Sequence, residues 1–202
     1  LGHQHFATQQ WFKAAEWYLK FGTDKEALPL ERYQALCYCS KAFRELNDSQ
    51  AIDVALMAIE LYPSYKDGYL ELAHSYLRLG QYEKAIHFAF LSDNKDLLHE
   101  PPAVIFINPL SYTFDKYALL SEAYVKLNNL QEGIKWANEA YKIRPTPDVQ
   151  SNIDLLESLI LKNKVGDSIK TLAVHLLNNR ELVKLRHLAE AAPYWFKDTP
   201  DY

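Results

Sequence analysis

The chain has 202 residues, 49% hydrophobic and 24% charged, with a net charge of −4 and both signs interspersed. Such a length can bury one sizeable core or carry an extended array of small units. The charge balance gives no basic footprint for nucleic acid and no polybasic patch for anionic lipid, and no apolar run is long enough to span a bilayer.

The first residue is Leu1 rather than Met, so the chain reads as a piece cut from a longer protein, and missing targeting signals say little about the parent. Residues 1–22 read as a partial unit. Within it, "HFATQQWFKAAEWYLKF" (5–21) supplies Phe12, Ala15 and an aromatic-rich second helix whose partner begins before Leu1. Residues 32–64 follow as a helical pair containing Ser40, Ala42-Phe43 and Ala51-Ile52 and closed by Pro63. Its two cysteines, Cys37 and Cys39, are two apart on a helix and so point about 200° from each other, which rules out a shared metal or a bridge. They read as buried thiols of a reducing, cytoplasmic setting.

The next two units align without a gap: "DGYLELAHSYLRLGQYEKAIHFAFLS" (67–92) over "DKYALLSEAYVKLNNLQEGIKWANEA" (115–140). Tyr69, Leu72, Ala73 and Tyr76 fall on Tyr117, Leu120, Ser121 and Tyr124, and Tyr82, Ala85 and Ala89 on Leu130, Gly133 and Ala137. Gly80-Gln81 and Asn128-Asn129 occupy the turn, where glycine and asparagine best tolerate the left-handed backbone of a helix C-terminus. Each copy is therefore a helix–turn–helix, with small residues where the backbones approach. An ordinary antiparallel bundle would not repeat its small residues at fixed offsets.

Between these copies, within the unit of 66–99 and before that of 114–147, lies an insertion at about 94–113. Pro101-Pro102 forbids the helix from restarting, the run 103–107 (AVIFI) favours an extended backbone, and Asn108-Pro109 turns the chain. An apolar loop of this kind must lie against something, along a groove or over an edge, with Ile105, Phe106 and Tyr112 as its contacts. After Pro147 the repeat fades. Residues 148–164 read as one helix capped by Asp148, and 166–193 as two more around Asn178-Asn179. Leu172, Leu176, Leu182, Leu185 and Leu188 form a core-like stripe on these capping helices, and 194–202 reads as a linker to a further domain.

The repeated pattern resembles the tetratricopeptide repeat, a helix–turn–helix unit of about 34 residues. The resemblance implies an all-α superhelix, with about 3.5 repeats over residues 1–147, capping helices over 148–193 and a concave face lined by the first helix of each unit. On this chain that lining is Gln34, Cys37, Lys41, Arg44, Asp67, Leu70, His74, Leu77, Ala118, Glu122 and Val125. A narrower likeness covers about residues 3–160. "ERYQALCYCS" (31–40), "INPLSYTFDKYALLSEAYVKLNN" (107–129) and "ANEAYKIRP" (137–145), in that order, look like the tetratricopeptide tail that follows the catalytic domain in family-2 glycosyltransferases. That likeness implies an accessory region of a nucleotide-sugar enzyme, whose D-x-D carboxylate pair and divalent metal would lie elsewhere, since no D-x-D stands in this chain.

No phosphate-cradling glycine pattern, no G-x-S-x-G elbow and no histidine set at ligand spacing is present. We therefore expect no catalytic residue, no metal and no cofactor. Two function classes remain: a scaffold within a multidomain enzyme, or a free-standing adaptor holding a peptide in its groove. The partner is then a protein, a peptide, a flanking domain of the same chain or a second copy, with no nucleic acid and no membrane insertion. Asp67, Glu71 and Asp115 oppose an acidic ligand, for which only Lys41 and Arg44 offer charge.

Overall fold

The computed structural model describes residues 1–94 and 109–192. Among them are ten α-helices and no strand. Residues Leu1–Gln150 form one compact unit and Ser151–Tyr202 another.

In the first unit, α1 (Gly2–Ala7) pairs with α2 (Trp11–Thr23), α3 (Pro29–Glu45) with α4 (Gln50–Leu61), α5 (Lys66–Arg78) with α6 (Tyr82–Leu91), and α7 (Phe114–Lys126) with α8 (Leu130–Ile143). Successive hairpins also pack on one another, α2 on α3, α4 on α5 and α6 on α7, which makes an all-α, helix–turn–helix solenoid.

The repeat seen in the sequence has a counterpart in hydrogen bonds. Ser40 and Ser121 hold equivalent positions, and each hydroxyl donates to the second helix of its own hairpin, to the Ala51 carbonyl at 2.8 Å and the Gly133 carbonyl at 2.9 Å. A small side chain is needed there because the backbones nearly touch. A Cβ on Gly133 would stand 2.6 Å from Val125 Cγ2. In the middle repeat the equivalent pair, Ala73 and Ala85, is fully buried.

The turns repeat too. Asn47, Gly80 and Asn128 each follow the small position by seven residues and take φ of 55°, 74° and 59°. In each case the next N–H reaches back five residues, Asp48 to Phe43, Gln81 to Tyr76 and Asn129 to Tyr124. This is the six-to-one closure of a Schellman C-cap. Gln9 (φ 57°) and Arg180 (φ 58°) close α1 and α9 in the same way without the glycine or asparagine that suits the position.

The second unit differs from the sequence reading. Residues 148–164 and 166 onward are not separate helices: α9 runs unbroken from Pro147 to Asn178, and α10 spans Leu182–Ala191. Gly166 suggested a stop, but a glycine inside a helix costs only about 1 kcal/mol, and no proline follows it to remove a hydrogen bond. The left-handed turn residue is Arg180 rather than Asn178 or Asn179. Of the leucine stripe in this second unit, Leu176 is buried, Leu185 and Leu188 are half-buried, and Leu172 and Leu182 are exposed. Within the insertion, Pro109–Tyr112 form a single 3-10 turn leading into α7. Ile105, Phe106 and the rest of 95–108, like the expected linker at 194–202, lie outside the described residues.

Candidate interaction surface

The first helices of the three complete hairpins, α3, α5 and α7, carry the residues expected to line a concave face. Six polar side chains from α3 and α5 are brought together. Arg44 Nη1 donates to Glu71 Oε2 at 2.5 Å, an ion pair whose side chains keep only 12% and 21% of their exposure. His74 faces the same positive charges: burial first, then Arg44 and Lys41, push its proton affinity well below the usual histidine range. Cys37 faces the negative ones. Burial first, then the Asp67 and Glu71 carboxylates, push its thiol well up, against a hydrogen bond from Tyr33.

Lys41 Nζ lies 5.7 Å from the Phe6 ring centre, linking this cluster to α1. On the α5 side, Tyr112 donates its hydroxyl to Asp67 Oδ1 at 2.7 Å, while Lys66 Nζ stands 5.8 Å from the Tyr112 ring centre. The residues that leave the insertion are thus fixed to the first turn of α5. Tyr33 serves the same junction from below, its buried hydroxyl oxygen accepting the Gly68 N–H at 2.9 Å.

Not every expected residue offers a free surface. Leu70 is only 3% exposed, so it packs rather than presents a side chain. Val125 leans on Gly133 of its own hairpin. Gln34 and Leu77 are half-buried, and Ala118 and Glu122 on α7 are exposed. Glu71 was counted among the carboxylates opposing an acidic ligand but not among the lining residues, and Lys66 was not named, although Glu71 lies one turn before Ser75 and within a turn of His74 on α5. The one signal for it was a carboxylate at helical spacing from Asp67.

A thiol held protonated is a poor nucleophile. No group of three His, Cys, Asp or Glu residues that could hold a metal occurs among the described residues. No helix there is long and apolar enough to cross a membrane.

Two family models match the chain, both described as tetratricopeptide repeat, one over residues 54–87 and the other over 117–147. The first covers most of α4, all of α5 and the first half of α6, and the second covers most of α7 and all of α8. The chain therefore carries a tetratricopeptide-repeat domain. No curated protein matches it.

Proposed function

We propose that these tetratricopeptide repeats form a non-catalytic scaffold that holds a polypeptide against the face built by α3, α5 and α7. Repeats of this kind generally mediate protein–protein interaction. The observation that carries the reading is the cluster of Lys41, the Arg44–Glu71 pair, Asp67 and His74. It presents both charges and a neutral imidazole on adjacent first helices, beside the exposed Glu122 and Ala118. A mixed face of this kind favours a partner carrying both donors and acceptors over a uniformly acidic tail, since Glu71 and Asp67 repel a carboxylate.

The test is to select an extended peptide from a random library on the folded protein and titrate it against wild type, Lys41→Glu and Glu122→Lys. Each charge reversal should weaken binding about tenfold, with circular dichroism showing each variant folded. A selected peptide indifferent to both, or one footprinting on α4, α6 and α8, overturns the concave-face reading.

In this reading residues 1–147 are the repeat array and the helices after Pro147 cap it. The likeness of residues 3–160 to the tail of family-2 glycosyltransferases supports a parent enzyme for which this array positions an acceptor or a neighbouring domain. The coding sequence upstream of Leu1 tests that part: an α/β domain with a D-x-D after a strand is the expected finding. The array itself should give no saturable heat with uridine-diphosphate sugars and manganese, because the paired carboxylates that such binding needs are absent from its sequence.

A further inference from the structure

The left-handed turn residues put the first helices in register with one another. Lys41, His74 and Glu122 each follow the small position of their hairpin, Ser40, Ala73 or Ser121, by one residue, and precede the turn residue, Asn47, Gly80 or Asn128, by six. They therefore form one row across α3, α5 and α7, and along it the side chains run cation, imidazole, anion. On α1 the same register falls at His3, six residues before Gln9. Its Nδ1 already lies 2.7 Å from the Tyr18 hydroxyl, and the Leu1 ammonium stands within reach of it. The opposed charges are thus confined to α3 and α7.

Neither end of the row is spent within the fold. Lys41 is half-buried and Glu122 exposed, and no ion pair among the described residues uses either. Lys41 has the Phe6 ring at 5.7 Å, a contact that brings no opposite charge. The charges between them are taken up, Arg44 by Glu71 and Asp67 by the Tyr112 hydroxyl. Asp115, two turns before Glu122 on α7, has the same sign as Glu122. One turn beyond the row, at the rim, Glu45, Arg78 and Lys126 run in the opposite sense. Arg78 Nε donates to Asn47 Oδ1 at 2.7 Å. Glu45 and Lys126 are exposed last residues of their helices, where water and salt screen them.

We propose that this row reads the order of charges in the polypeptide it holds, an acidic side chain at Lys41 and a basic one at Glu122, with an uncharged stretch over His74 between them. The inference rests on the scaffold reading and adds an orientation to it. Packed helices lie about 8–10 Å apart, so two steps separate the charges by about 20 Å, or about six residues of extended chain. The reversed order sets like charges against both ends, which weakens steering and affinity together. Burial, then Arg44 and Lys41, hold His74 neutral, so the middle of the row favours neither sign.

The test pans a display library of random peptides, long enough to reach from α3 to α7, on the folded protein and sequences what is retained. Wild type should enrich an acidic and a basic residue about six positions apart in one fixed order. The exchange variant, Lys41→Glu with Glu122→Lys, should enrich the same spacing in the reverse order. The rim exchange, Glu45→Lys with Lys126→Glu, should keep the wild-type order. Circular dichroism checks that each variant is folded. Should the exchange variant not fold, Lys41→Met and Glu122→Gln serve instead. Each should weaken a retained peptide about three- to fivefold, the first making it indifferent to neutralisation of its acidic residue and the second of its basic one. An order unchanged in the exchange variant, reversed by the rim exchange or absent from the wild-type pool overturns the proposal, as does coupling of neither residue to its neutralised partner. Retained peptides that are blocked by a bulky side chain on the exposed Ala118 (Ala118→Trp) yet carry no fixed order overturn the row alone and leave the scaffold reading standing. No retained peptide, or retention indifferent to Ala118→Trp, overturns the scaffold reading and the row with it.

Discussion

Arg44 and Glu71 lie 27 residues apart in the chain and 2.5 Å apart in space, Nη1 against Oε2. The pair ties α3 to α5, the first helices of adjacent hairpins, and fixes how one repeat sits on the next. Sequence neighbours cannot supply this link, because within a hairpin the first helix meets its own second helix.

The pair should therefore be coupled energetically. Arg44→Ala strands a mostly buried carboxylate and should cost about 1–2 kcal/mol. Adding Glu71→Ala should recover part of that loss, with a coupling of about 0.5–1 kcal/mol after allowance for the remaining solvent. Urea titrations of the two single variants and the double variant decide it. Additive losses would mean that the two side chains are apart in solution.

The left-handed turns give a paired prediction of opposite sign. A Cβ on Gly80 would meet nothing closer than the Tyr82 hydroxyl at 3.8 Å, so Gly80→Val is penalised by backbone strain alone, about 1 kcal/mol or more. Arg180 already stands in that strained region, so Arg180→Gly should be neutral or stabilise by up to about 1 kcal/mol. Thermal midpoints that move in the same direction for both would show that the turn geometry does not govern stability here.

These turns also show how far the fold was legible. Small residues at matched offsets followed by Gly80-Gln81 or Asn128-Asn129 are a local pattern, and they located two hairpins from the letters alone; Asn47, which takes the same left-handed backbone in the hairpin before them, was not singled out there. Arg180 was illegible because nothing in an arginine announces a left-handed backbone; only the five-residue back-bond from Glu181 to Leu176 does. The continuity of α9 was hidden by Gly166, where propensity argues weakly for a stop and the surrounding helix overrides it. On the candidate surface, the resemblance to the repeat family is what led us to expect Cys37, Lys41, Arg44 and His74 on one face. It could not tell that Leu70 is buried, nor that Glu71 rather than a ligand takes up Arg44, because both depend on which hairpin packs behind.

Both thiols should be sluggish. Burial pushes Cys39 up to about 12, and its Sγ donates to the Ala15 carbonyl at 3.3 Å. Cys37 is pushed well up by burial and by Asp67 and Glu71. Since the thiolate is the reactive form, Ellman's reagent at pH 8 should label neither quickly in the folded protein and both on unfolding. Rapid labelling of one equivalent, abolished by Cys37→Ser, would place Cys37 in water and away from the two carboxylates.

Acid should weaken the fold through His74. Its folded-state proton affinity is depressed by burial, then by Arg44 and Lys41, while in the unfolded chain it returns to about 6.5. Below that value the unfolded chain takes up a proton that the folded one refuses. The stability held by a neutral His74 is therefore complete above about pH 6.5 and is lost as the pH falls from there toward the folded value, at no more than about 1.4 kcal/mol per unit for one group. His3 is lowered as well, by burial and then the chain-terminal ammonium, and adds to the slope in the same window. Urea midpoints measured from pH 7.5 to 5.5 should fall for wild type and fall less steeply for His74→Gln, with the two curves converging at the acid end. Parallel curves would mean that His74 protonates freely in the folded protein, and so that Arg44 and Lys41 do not crowd it.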